Sequence, residues 1–183
     1  MSEVARTILG MELAAISIAC LSFIVAALAL GWQVAAWLLD GPRVRAVLQH
    51  GVVGRGGVVV TTVNKDARLS DMSLMREQGW RGPDVIGVAV SNLGRAKVKV
   101  TGFGVVLKRG GLSANYPLSN EWSPPLPHWL EPGESATWYA PLQDAHALVD
   151  TTRRTVNPRA GGAQMKIQLG SGREVTTARH LEL

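Results

Sequence analysis

The sequence predicts a mainly β protein: an N-terminal transmembrane helix, then a two-sheet β-sandwich carrying one short helix. Three observations predict it. Residues 13–39 are 27 consecutive positions without a charge. After residue 50 no long helical period runs uninterrupted, and many of the chain's 20 glycines punctuate that region. Between them lie about seven short, alternating, β-branched stretches, the pattern of packed antiparallel strands. The predicted organisation is a short tail at 1–12, the membrane helix at 13–39 and the β domain at 40–183, with a long excursion between strands at 64–83.

The apolar run, LAAISIACLSFIVAALALGWQVAAWLL, exceeds the ~20 helical residues a bilayer core needs. It is also too long for a small β domain to bury. Trp32 and Trp37 sit at its C-terminal end, where indole rings favour the headgroup level. Gly41-Pro42 then stops the helix, because the residue before proline avoids helical geometry. The region before the run is not basic: Arg6 is offset by Glu3, and Glu12 abuts the run. The run also outlasts the ~7–15 residues of a signal-peptide core, so it reads as an uncleaved single-pass anchor. Arg43 and Arg45 follow it, against Arg6 before it. By the positive-inside rule this puts the domain on the cytoplasmic side. Arg43 and Arg45, with Trp32 and Trp37, are candidate lipid headgroup contacts.

The single cysteine, Cys20, lies inside the apolar run, so the domain has no internal disulfide. From Asp40 onward the chain holds 18 Lys and Arg against 12 Asp and Glu, a net +6. The excess is spread out rather than gathered into a stripe, which suits a solvated surface and not a nucleic-acid interface.

Along the domain, Val44, Ala46 and Leu48 alternate with polar partners as a half-buried strand does, and VVVTTV at 58–63 is β-branched throughout. With the Gly54-Arg-Gly-Gly57 turn they form a hairpin. The charged, Gly- and Pro-broken excursion holds room for a short helix at 70–78, capped by Ser70 or Asp71. DVIGVAVS at 84–91 is a strand, closed by the Asn92-Leu-Gly94 turn. In RAKVKVTGFGVVLK, Val98 and Val100 share one parity while Phe103, Val105 and Leu107 share the other, which predicts a bulge near 102–104. ATWYA is a short strand, and PLQDAHALVDTT is a helix with Pro141 in its first turn and Leu142, Ala145, Leu148 and Val149 as its apolar stripe. AQMKIQL and EVTTARHLEL alternate around Gly170-Ser-Gly172 as a terminal hairpin.

The series VAVSNLGRAKVKVTGFGVVL, LEPGESATW, a short helix and a strand pair around GSGRE resembles uncharacterised bacterial single-pass membrane proteins with a small immunoglobulin-like β-sandwich behind the anchor. GWQVAAWLLDGPRVRAV is similar to their anchor-to-strand junction. The resemblance implies an immunoglobulin-like sandwich and carries no activity with it, and the 64–83 excursion departs from the plan.

The inventory of chemistry is sparse. His50, His128, His146 and His180 have no zinc-like spacing and read as surface or edge residues. There is no G-x-S-x-G elbow, and Gly54-Arg-Gly-Gly57 lacks the lysine and helix of a phosphate loop. No enzyme, cofactor or metal is expected. What stands out is WSPPLPHWLEPGESATW at 122–138. Trp122, Pro124, Pro125 and Trp129 form a candidate protein-binding edge, since tryptophan is enriched in binding hot spots. SPPLP is alternatively a ligand for a proline-reading partner. On a structural reading, Trp129 and Trp138 plug the ends of the core while the prolines stiffen a crossover. Trp80, in the charged excursion, is a further candidate binding residue, beside the adaptable Met72, Leu74 and Met75.

The expected function is a membrane-anchored, non-catalytic protein-binding or scaffold module, with the bilayer and an unidentified protein as partners. The alternatives are an extracytoplasmic envelope-binding domain, or an accessory subunit of a larger membrane complex associating through small residues of the anchor such as Ala15, Ala19 and Ala26. No nucleic-acid partner is expected.

Overall fold

The computed structural model describes the backbone of residues 2–39 and 41–183, and the side chains of residues 15–36 and 41–183. Two compact units divide the chain, Met1–Gly41 and Pro42–Leu183. The first is one helix, α1 (Ser2–Leu39), so residues 2–12 continue the helix. Its segment Ala15–Ala36 has mean hydropathy 2.2 and is long and apolar enough to cross a membrane. Trp32 is 76% exposed on it. The side chain of Trp37 lies outside the described residues.

The second unit is built from two antiparallel sheets. The first sheet has the order β2-β1-β3-β7, from β1 (Val44–Gly54), β2 (Gly57–Thr62), β3 (Asp84–Asn92) and β7 (Ser135–Pro141). The second has the order β5-β4-β8-β9, from β4 (Val98–Leu107), β5 (Ser113–Tyr116), β8 (Ala163–Leu169) and β9 (Glu174–Thr176), with the short β6 (His128–Leu130) also paired to β4. Both sheets feed one core.

Register explains which residues fill that core. Leu48 lies opposite Val88, and Val88 opposite Trp138, so one row of the first sheet points inward as Leu48–Val88–Trp138. In the second sheet Tyr116, Phe103 and Ile167 form the matching row, with the Tyr116 and Phe103 rings stacked at 5.1 Å. Across the gap, His128 meets Trp138 edge-on at 5.8 Å. The predicted parity switch in β4 is present: Val98 and Val100 are buried, then Phe103, Val105 and Leu107. The register slips between Val100 and Gly102, leaving Thr101 as the extra residue, so the bulge begins before the predicted 102–104.

Helix α3 (Leu142–Thr155) buries Leu142, Ala145, Val149 and Thr152, while Leu148 is half-buried. Pro141 sits at the N-cap, one position earlier than predicted. The excursion holds one short helix, α2 (Ser73–Glu77). Its entry is held by Asp71, whose Oδ1 accepts the Ser73 N–H at 2.9 Å; hydrogen bonding from Ser73 keeps the Asp71 carboxyl below its ordinary pKa. The excursion is fastened along its length. Glu182 N–H donates to the Ala67 carbonyl, and Arg76 pairs with Asp84 at 2.7 Å. Gly82 N–H donates to the Val53 carbonyl, and Val53 N–H to the Pro83 carbonyl.

Three expectations need correction. β5 and β6 fall in the Pro- and Trp-rich stretch, in which the sequence reading names no strand. The terminal hairpin is short on its second arm: β9 covers Glu174–Thr176, and Leu181 rejoins through an isolated bridge to Ala163. His50 is not a surface residue: it is 3% exposed. It shares the inward parity of Val44, Ala46 and Leu48 on β1, which is why it is buried.

Candidate functional site

Antiparallel pairing gives the domain two ends. At the end where Pro42 enters, the start of β1 meets the close of β3 (Val44 opposite Asn92), and Val98 of β4 meets Leu130 of β6. The turns at 93–97, 131–134 and 170–173 gather there. The opposite, distal end carries the β1–β2 turn, the close of the excursion and the segment around Trp122.

The distal end contains an open cleft of about 870 Å3. Val53, Gly54 and Arg55 line it from the first hairpin, Arg81, Gly82 and Pro83 from the end of the excursion, and Glu121 and Trp122 from the Trp/Pro stretch. Trp80 lies against Gly54: a Cβ there would collide with its ring, so the glycine permits the approach. Trp80 is therefore half-buried, not standing free. Trp122 is half-buried at the cleft wall. The fold thus draws two of the candidate tryptophans, 42 positions apart in the chain, to one end.

The Trp/Pro stretch is anchored from beneath. Trp138 is fully buried and its Nε1 donates to the Pro124 carbonyl at 3.2 Å. Ser123 Oγ accepts the Tyr139 N–H at 2.9 Å, and Asn120 Nδ2 donates to the Tyr139 carbonyl at 2.7 Å. Those side chains cover the free edge of β7, which would otherwise present unpaired backbone groups. Pro124 is half-buried by this arrangement and Pro125 is exposed.

Trp129 behaves differently from Trp138. Because His128 and Leu130 point inward on β6, Trp129 points outward, opposite Lys99 on β4. It is 49% exposed, with Lys97 Nζ 5.2 Å and Lys99 Nζ 5.7 Å from its ring centroid. It lies at the Pro42 end, so it neither plugs the core nor joins the distal cleft. Arg43 and Arg45 are exposed at that same end.

A third feature is one that sequence reasoning did not single out. Neither ring nitrogen of His50 has a hydrogen-bond partner among the described residues. The ring borders a cavity of about 270 Å3 lined also by Ser70, Asp71, Arg76, Asp84 and Leu142. Burial holds its pKa below 6.5, opposed by the nearby Asp84 carboxylate. The inward parity of β1 is the signal that could have found it. Elsewhere burial and the 2.8 Å hydrogen bond that Tyr116 Oη donates to Asp144 push the phenol far above its usual pKa. Among the described residues no group of three or more metal-ligating side chains exists.

Comparisons with protein-family models, with curated proteins and with solved structures found no match to this chain.

Proposed function

We propose that the chain is a membrane-anchored, non-catalytic β-sandwich of immunoglobulin-like order that offers its distal cleft to a protein partner, with the domain on the cytoplasmic side. The strand distribution supports the fold: β1, β3 and β7 against β4, β8 and β9 parallels strands A, B, E against C, F, G. The anchor reading rests on the length and apolarity of Ala15–Ala36, and the orientation on Arg43 and Arg45.

The observation that carries the binding role is the cleft itself. It combines Trp122 with two guanidinium groups, Arg55 and Arg81, and one carboxylate, Glu121, while Trp80 packs against Gly54 of its lining. Tryptophan and arginine are the residues that dominate protein-binding hot spots. The chemistry suits a polypeptide segment that presents a carboxylate beside an apolar or aromatic side chain.

The test is photocrosslinking in cells from a photoreactive residue placed at Glu121 in the full chain. A discrete adduct is expected, and Trp122→Ala or Arg81→Glu should abolish it. An unchanged set of adducts in both variants refutes the cleft as the binding site. Reporters of cytoplasmic and external location, fused after Leu183, test the orientation: activity of the external reporter refutes the cytoplasmic assignment.

A further inference from the structure

The end of the domain nearest the anchor in sequence carries a surface that the cleft does not use. Trp129 stands outward between two lysines. Leu93, 62% exposed, crowns the β3–β4 turn and is fixed to the start of β1 by a 2.7 Å bond from its N–H to the Arg43 carbonyl. A cleft of about 220 Å3 runs between Pro42, Lys97, Lys99, Trp129 and the Gly170-Ser171 turn. This face is held rigidly from below. Asn92 is fully buried, and its side chain bonds the Ala96 and Leu130 carbonyls and the Gly94 N–H, pinning the Leu93 turn to the strand that bears Trp129.

We propose that this face rests on the anionic surface of the bilayer, with Trp129 and Leu93 at the headgroup level and Lys97 and Lys99 on lipid phosphates. The inference rests on the reading of α1 as a membrane anchor. Three arguments point to lipid as the occupant. The first is reach: Pro42 follows Leu39, the last helical residue, by three positions, and the chain between them spans at most about 11 Å. A face bordered by Pro42 is therefore tethered beside the membrane surface. The second is chemistry. An indole flanked by long-stemmed lysines is the combination that partitions to the interface, the ring at headgroup depth and the ammonium groups in the polar layer. The third is charge: Arg43, Arg45, Arg95, Lys97, Lys99 and Arg173 lie at this end against Glu131, Glu134 and, in sequence, Asp40. Docking would hold the domain in one orientation and aim the distal cleft away from the membrane.

The test uses the full chain with Cys20→Ser and a fluorophore at Leu93→Cys, reconstituted in phosphatidylcholine vesicles with or without about 30% phosphatidylglycerol, whose surface charge attracts basic residues. Quenching by a nitroxide on the lipid headgroup reports approach. Strong quenching is expected with anionic vesicles. Replacing Lys97 and Lys99 together by Gln should lower the docked-to-undocked ratio about thirty-fold, the product of two surface-lysine contributions. A fluorophore at Arg109→Cys, in the distal turn, should stay unquenched throughout. Loss of the chain from vesicles on carbonate washing would overturn the anchoring reading and this inference together. A chain that stays in the membrane with Leu93→Cys unquenched, or quenched equally on neutral and anionic vesicles, overturns this inference alone.

Discussion

Asn92→Ala should be among the most damaging single polar substitutions in the domain. The side chain is fully buried and makes three hydrogen bonds: Nδ2 to the Ala96 carbonyl at 2.9 Å and to the Leu130 carbonyl at 3.1 Å, and Oδ1 from the Gly94 N–H at 3.0 Å. Each is worth about 1 kcal/mol net, and alanine leaves the buried partners without a replacement, so the loss should reach about 3 kcal/mol. With a urea dependence of about 2 kcal/mol per molar for a domain of this size, the midpoint should fall by about 1.5 M. The assay is urea unfolding of the full chain in detergent, followed by the emission shift as Trp138 leaves the core. Asn92→Asp provides the sharper control. It keeps the acceptor for Gly94 but sets a carboxylate oxygen against two carbonyls, so near neutral pH it should cost more than alanine. Acidification should recover part of that cost, because the protonated acid can donate once. A loss below about 1 kcal/mol for alanine, or an aspartate variant no worse than alanine, would refute the reasoning.

Trp138→Phe removes the bond to the Pro124 carbonyl and part of the side-chain volume; a loss of about 2–3 kcal/mol is expected, read by the same unfolding curve. His50 titrates below 6.5 when folded. The unfolded chain therefore takes up a proton that the native chain refuses, and stability should fall as pH drops from about 6.5 toward the lowered native value. His50→Leu should remove that slope, and an unaltered slope would contradict the assignment. Tyr116→Phe gives up the bond to Asp144 and should cost about 1 kcal/mol. In the unmutated chain, absorbance titration should show both phenols ionising above pH 10, Tyr139 raised by burial and Tyr116 by burial together with the bond to Asp144.

The strands with a buried face were legible because their alternation is a direct consequence of the pleat. Val98 and Val100, then Phe103, Val105 and Leu107, announced both the strand and its bulge, although the pairing that isolates Thr101 is written in β8 and not in β4. β5 and β6 were not legible. Ser113–Tyr116 has little apolar alternation, and β6 is three residues long behind a proline; both form because β4 offers backbone partners. The two tryptophans show the limit most clearly. Trp129 and Trp138 sit in one compositionally uniform stretch, yet one pairs opposite Lys99 on an outer face and the other opposite Val88 on an inner one. That difference is a matter of register, which composition does not encode. His50 is the reverse case, since its parity with Val44, Ala46 and Leu48 on a single strand is enough to mark it as inward. The distal cleft needed the fold, because nothing local to Trp80 or Trp122 reports the other.

The proposed division of labour between the two ends rests on one covalent fact and one topological fact. The covalent fact is that β1 begins five positions after α1 ends, so whichever end of the domain holds Val44 is the tethered end. The topological fact is that antiparallel pairing sends the turns after β3, β6 and β8 to that same end and the β1–β2 turn, the excursion's close and the Trp122 segment to the other. Surface chemistry tracks this division. Lysines around an outward indole suit a lipid surface, whereas arginines beside tryptophan suit a protein carboxylate, because guanidinium bonds carboxylates through a planar fork while an ammonium acts as a point charge. Exchanging Lys97 and Lys99 for Arg should therefore preserve membrane approach, since charge is what counts there. Exchanging Arg55 and Arg81 for Lys should weaken crosslinking from Glu121, since geometry is what counts there. The same conservative exchange thus has opposite consequences at the two ends, and equal behaviour at both would break the link between surface chemistry and position in the fold.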